Sequence, residues 1–141
     1  MKKSGFTLVE LFGTIIIIAI VSLITTPIIF GVIEKIRKDS VKLSVRGVFD
    51  AANLYYAHNS DKIIGESITF TCDGNKCATE NNTKLNFKGT IPKSGQIIIK
   101  KSGQVEVYYL RFNNYCALGD KRTLDIQKEC NKLDNTRSDM N

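Results

Sequence analysis

The sequence predicts an α+β fold: one long N-terminal helix, with a membrane-embedded first half and an amphipathic second half, and a small antiparallel β-sheet packed on it. Three observations predict it. From Leu11 to Ile33, 23 residues pass without a charge, enough for a membrane span of about 20 residues. Val41, Val45, Val48, Ala52 and Tyr55 then step by four, three, four and three, which puts them on one helical face. After Ser60 the pattern changes to short alternating stretches separated by turn residues, as in strands.

The helix is expected from residue 6 to about 59. Its first half, 6–33, is apolar all round, as a lipid-embedded or closely bundled helix must be. Gly13 and Gly31 allow close helix approach, and Gly47 weakens the helix further on. Pro27 removes one intrahelical hydrogen bond and is expected to kink or locally loosen the helix. One charge, Glu10, enters the run near its start. An acidic side chain at the bilayer centre costs about 2.5 to 3.5 kcal/mol, so this carboxylate needs a partner. In the second half, 34–59, Phe49 and Tyr56 broaden the apolar stripe, while Lys38, Lys42, Arg46, Asp50 and Asn53 lie elsewhere and are solvated.

The head, 60–130, reads as β-rich. Strands are expected at Ile68–Cys72, Lys84–Lys88, Gln96–Lys100 and Gln104–Phe112, the last two joined as a hairpin across Lys101-Ser102-Gly103. Lys-Ser-Gly-Gln occurs at 93–96 and again at 101–104, a spacing too short for a structural repeat unit. The tail, 131–141, is polar and is expected to fray.

Four cysteines, Cys72, Cys77, Cys116 and Cys130, all follow the apolar segment. An even number in a small exported domain suggests disulfides, with three possible connectivities. In the sequence-local one, Cys72 and Cys77 bracket the turn Asp73-Gly74-Asn75-Lys76, and Cys116 and Cys130 close a loop near the C-terminus. Zinc knuckles fit poorly, because four and thirteen residues intervene. Free thiols are the remaining reading if the compartment is not oxidising.

The chain has 141 residues and a net charge of +6, which falls to +4 if Lys2 and Lys3 are removed. That permits contact with DNA or an anionic surface but indicates neither. No catalytic constellation, Gly-rich phosphate loop, cofactor motif or metal set stands out, so the chain does not read as an enzyme. His58 is the single histidine and reads as a surface helix residue. Asp120 and Asp125 lack the dense oxygen pattern of a calcium loop. Among Tyr108, Tyr109, Phe112 and Tyr115, strand alternation turns about half toward a core, which weighs against a stacking surface for single-stranded nucleic acid.

The N-terminus itself, Lys2-Lys3-Ser4-Gly5-Phe6-Thr7-Leu8-Val9-Glu10-Leu11, resembles the leader of type IV pilins and the pseudopilins of type II secretion systems. An ordinary signal peptide has a shorter apolar core and a small-residue cleavage site beyond it; a plain anchor leaves Gly5 and Glu10 unexplained. The resemblance implies a leader at 1–5, cut by a prepilin peptidase after Gly5, and N-methylation of Phe6. It implies that Glu10 meets the amino terminus of a neighbouring subunit, that Pro27 is the helix-loosening proline, and that Cys116 and Cys130 form a C-terminal disulfide loop. It departs from the family's leucine- and valine-rich run at Phe12-Gly13-Thr14.

The implied function is a structural subunit that polymerises into a surface filament. The alternatives are a pseudopilin of a type II secretion or competence DNA-uptake apparatus and, from another class, a membrane-anchored extracellular binding module. The implied partners are the peptidase, other pilin or pseudopilin subunits, an assembly platform with its ATPase, and membrane lipid before assembly. The implied location is a single pass through the cytoplasmic membrane with the C-terminal part exported, then a cell-surface filament. The charge pattern does not fix this orientation: Lys2 and Lys3 precede the span, but Lys35, Arg37, Lys38, Lys42 and Arg46 follow it.

Overall fold

A computed structural model of the chain describes residues 4–130. Lys2, Lys3 and the polar tail 131–141 lie outside the described residues. The described chain is α+β, with one long N-terminal helix, α1 (Leu8–Asn59), and a six-stranded antiparallel sheet. It divides into two compact units between Arg37 and Lys38.

In the first unit α1 runs through Pro27 without interruption. The apolar side chains of this segment are exposed, from Leu8 at 85% to Ile33 at 39%. Its hydroxyls are turned back onto the helix: Thr14 donates to the Leu11 carbonyl at 2.7 Å, Ser22 to Ile18 at 2.7 Å, Thr25 to Val21 at 3.0 Å and Thr26 to Ser22 at 2.7 Å. A polar side chain satisfied in this way adds no open hydrogen-bonding demand to an apolar surface. The segment is long and apolar enough to cross a membrane.

In the second unit the helix buries Val41, Val45, Val48, Phe49, Ala51 and Ala52, with Tyr55 and Tyr56 packed against the same core. The expected stripe is therefore the packing face, and Ala51 widens it. Strands β1 (Ser67–Cys72), β2 (Cys77–Ala78), β3 (Ser94–Lys100), β4 (Val105–Phe112), β5 (Tyr115–Asp120) and β6 (Asp125–Lys128) line up in the order β2-β1-β3-β4-β5-β6. Phe70, Ile97, Ile99, Val107 and Leu110 form the centre of the core, each fully buried. Tyr55 meets Phe70 edge to face, ring centroids 5.0 Å apart, and the Tyr56 hydroxyl donates to the Lys101 carbonyl at 2.9 Å. These contacts hold the amphipathic part of α1 onto the sheet.

Strand β4 changes parity halfway. Val105 and Val107 face the core, and so do Leu110 and Phe112, three residues beyond Val107 rather than two. The register shifts between Val107 and Leu110, and Tyr109 takes φ 50°. A bulge inserts one residue and so returns the far half of a strand to the same face. Gly95 on β3 lies opposite, and a Cβ built there would stand 2.6 Å from the Tyr109 carbonyl oxygen and 2.7 Å from the Leu110 Cα.

The sheet departs from the expected strands in two places. Lys84–Lys88 is not a strand: it makes one isolated bridge, Lys84 to Ala78, and a hydrogen bond from the Leu85 N–H to the Cys77 carbonyl. Leu85 is buried and Phe87 half-buried, so the alternation reflects anchoring of a loop. Conversely, β5 and β6 were not anticipated. Tyr115, Cys116 and Ala117 are buried in succession, which breaks the alternation, and β6 buries one apolar residue, Ile126.

Candidate functional site

The first unit presents Gly5, Phe6 and Glu10 at the mouth of α1. Residues 4–7 precede the helix in irregular, exposed backbone. Phe6 is 83% exposed, and nothing lies within 4 Å of where a Gly5 Cβ would be. The Gly5–Phe6 peptide is thus open, and no helical hydrogen bond has to break to reach it.

Glu10 is held locally. Its Oε2 accepts the Thr7 N–H at 3.0 Å, its own N–H donates to Thr7 Oγ1 at 3.3 Å, and the Leu11 N–H reaches the Thr7 carbonyl at 3.1 Å. This is a reciprocal capping box: Thr7 caps the helix and Glu10 caps Thr7 in return, satisfying two donors that a helix start leaves open. The carboxylate also lies at the positive end of the helix dipole. Glu10 Oε1 makes no hydrogen bond among the described residues. Thr7 was not among the residues singled out by sequence, although Thr-x-x-Glu immediately before an apolar run is the signature of a capping box.

In the second unit all four cysteines are paired, Cys72 with Cys77 and Cys116 with Cys130, and the Cα atoms lie 4.0 and 5.3 Å apart. Cys72 and Cys77 face each other across β1 and β2. Between them Asp73 Oδ1 accepts the N–H groups of Asn75 and Lys76, both at 2.9 Å, and Gly74 takes φ 92°. Hydrogen bonds from Lys76 and Asn75 hold the Asp73 carboxyl below its usual range.

Asp120 turns β5 into β6. Its Oδ1 accepts from the Arg122 and Thr123 N–H groups and the Thr123 hydroxyl, at 2.8, 2.7 and 2.9 Å, while Oδ2 takes a contact from Gln104 at 3.3 Å. The Thr123 bonds in particular hold this carboxyl below its usual range. Oδ1 is thus committed to the turn. Among the described residues no group of three His, Cys, Asp or Glu side chains is placed to hold a metal ion, and His58 is exposed.

On the sheet, Glu106 accepts from Lys100 Nζ at 2.6 Å and from the Tyr108 hydroxyl at 2.8 Å. Lys100, then Tyr108, holds the Glu106 carboxyl below its usual range, and Glu106 in turn raises Lys100. Phe112 and Tyr115 are buried and Tyr108 and Tyr109 half-buried, so these aromatics form no open stacking platform.

No protein-family model matches the sequence, and no curated protein or solved structure matches it at a significant level.

Proposed function

We propose that this chain is a type IV pilin-like structural subunit, processed between Gly5 and Phe6 and polymerised through the first half of α1. The observation that carries the reading is an exposed apolar helix that begins at an accessible Gly5–Phe6 bond and a capping-box glutamate. Such a surface needs lipid or other copies of itself to cover it. Helices that move from lipid into a bundle gain little from the hydrophobic effect, so assembly rests on packing and on polar pairing. Glu10 supplies the pairing. Cleavage at Gly5 turns the Phe6 nitrogen into an amine but leaves the Thr7 amide intact, so the capping box survives, and Oε1 remains to accept the amino group of a neighbouring subunit. The disulfide-stapled second unit suits an oxidising, exported location.

Glu10→Val tests this. The variant is expected to be cleaved and to accumulate in the membrane, because it loses a costly charge, yet to enter filaments at least tenfold less well. Glu10→Asp, which keeps the charge on a shorter arm, should recover part of the incorporation. Polymerisation of Glu10→Val at the parental level would remove both the pairing and the filament role.

A further inference from the structure

The second unit carries a basic groove that the filament reading does not use. Lys42 and Arg46, one turn apart on α1, and Lys121 and Arg122, adjacent in the β5–β6 turn, line one concavity of about 530 Å³. Phe49 lies on its floor at 2% exposure, and the one acidic residue lining it is Asp50. None of the four cations makes an ion pair among the described residues; the Lys100–Glu106 pair lies on the sheet. The concavity runs on into a second, of about 390 Å³, which shares Lys121 and Arg122 and adds Asn53, Gln104 and Asp120. The fold assembles this cluster from residues some 75 positions apart in sequence, and the Asp120 turn fixes the two that come from the loop.

We infer that this groove is a site for the phosphodiester backbone of duplex nucleic acid, bound without regard to base sequence. Four cations without an ion pair, against Asp50 and an Asp120 whose carboxylate is already hydrogen-bonded, leave a net positive groove that suits a polyanion. Two of the four are arginines, whose planar fork matches a phosphate. Lys42 and Arg46 are separated by about 6 Å of helix rise, nearly two of the steps of about 3.4 Å by which phosphates advance along each strand of a duplex, so each cation can meet a different phosphate. The continuation into a second concavity suits a polymer better than a single ion. The buried Phe49 offers no stacking face, which disfavours single strands. The inference concerns the second unit alone and holds whether that unit belongs to a filament or to an anchored module.

The test uses the full chain in neutral detergent micelles and a fluorescent 30-base-pair duplex of random sequence, followed by anisotropy from 50 to 300 mM KCl. The groove variant Lys42→Gln/Arg46→Gln/Lys121→Gln/Arg122→Gln is compared with an equally discharged control, Lys62→Gln/Lys84→Gln/Lys93→Gln/Lys101→Gln, whose positions are likewise exposed. The groove variant should bind at least tenfold more weakly at 50 mM. Its log–log salt slope should be shallower by about 3 to 4, since each phosphate contact contributes about 0.9. The control should keep most of the parental affinity and slope. Equal losses in both variants, or no parental binding at 50 mM, would overturn the inference. So would groove-dependent binding to vesicles of anionic phospholipid or to dextran sulfate with none to the duplex.

Discussion

Replacing Gly95 by alanine should be among the most damaging single-methyl changes in the second unit. Gly95 has φ 116°, and an added Cβ would meet the Tyr109 carbonyl oxygen at 2.6 Å, the Leu110 Cα at 2.7 Å and the Tyr109 carbonyl carbon at 2.8 Å. All three are backbone atoms of a bulge with its own positive-φ residue, so no side chain can swing aside. Forcing a non-glycine residue into such a conformation costs about 1 to 3 kcal/mol, and overpacking against an unyielding neighbour a further 1 to 3 kcal/mol; a loss of about 4 kcal/mol is expected. Gly65 is the matched control: its φ is 93°, but nothing lies within 4 Å of its Cβ position, so Gly65→Ala should cost about 1 kcal/mol. Thermal unfolding of the full chain in detergent, read by tyrosine near-ultraviolet circular dichroism, follows the second unit, which contains all five tyrosines. At about 4 to 8 °C per kcal/mol for a domain of this size, Gly95→Ala should melt at least 10 °C below Gly65→Ala. Melting of the two within 3 °C of each other would mean that the bulge backbone yields to the added methyl.

Replacing Cys116 and Cys130 by serine should destabilise the second unit by about 3 kcal/mol, and replacing Cys72 and Cys77 by about 2 kcal/mol, because the loops span 14 and 5 residues; non-reducing peptide mapping and thermal melts check pairing and order together. Glu106 has a folded pKa below its ordinary 4.5, so its contribution is present above that value and lost as pH falls through the lower folded one. Lys100 is raised from 10.5, so its share is present below 10.5 and lost above its higher folded value. Melting curves should therefore show Glu106→Gln below the parent at pH 7, with the gap narrowing below pH 4.5; a gap unchanged at pH 2 would contradict the pairing.

The amphipathic stripe was legible because a helix face repeats with a fixed period, and Val41, Val45, Val48 and Ala52 are all buried. The β3–β4 hairpin was legible from two apolar runs around Lys101-Ser102-Gly103, where the Lys100 N–H bonds the Gln104 carbonyl and Gly103 takes φ 85°. Strands β5 and β6 were hidden because burial on them does not alternate. Asn113-Asn114 held the missed signal, a two-residue turn between Phe112 and Tyr115 with Asn113 at φ 52°, a conformation asparagine tolerates. Lys84–Lys88 misled because alternation records which side chains are anchored, not whether a neighbouring strand exists to pair with. At the N-terminus, Glu10 stood out as a charge in an apolar run, whereas its partner Thr7 is an ordinary polar residue until the helix start is placed. The basic groove was invisible, since Lys42 and Arg46 meet Lys121 and Arg122 only through the fold.

The proposed role as a processed subunit in a polymer is tested most directly at the N-terminus of assembled material. Filaments sheared from the surface of cells producing the untagged protein, purified by sedimentation and digested, give its N-terminal peptide by mass spectrometry. The proposed role requires assembled material whose first residue is Phe6, its amino group bearing one methyl, with Met1–Gly5 absent. A chain that stays in the membrane fraction with Met1 intact, or one in sheared material that begins beyond residue 25, would contradict it.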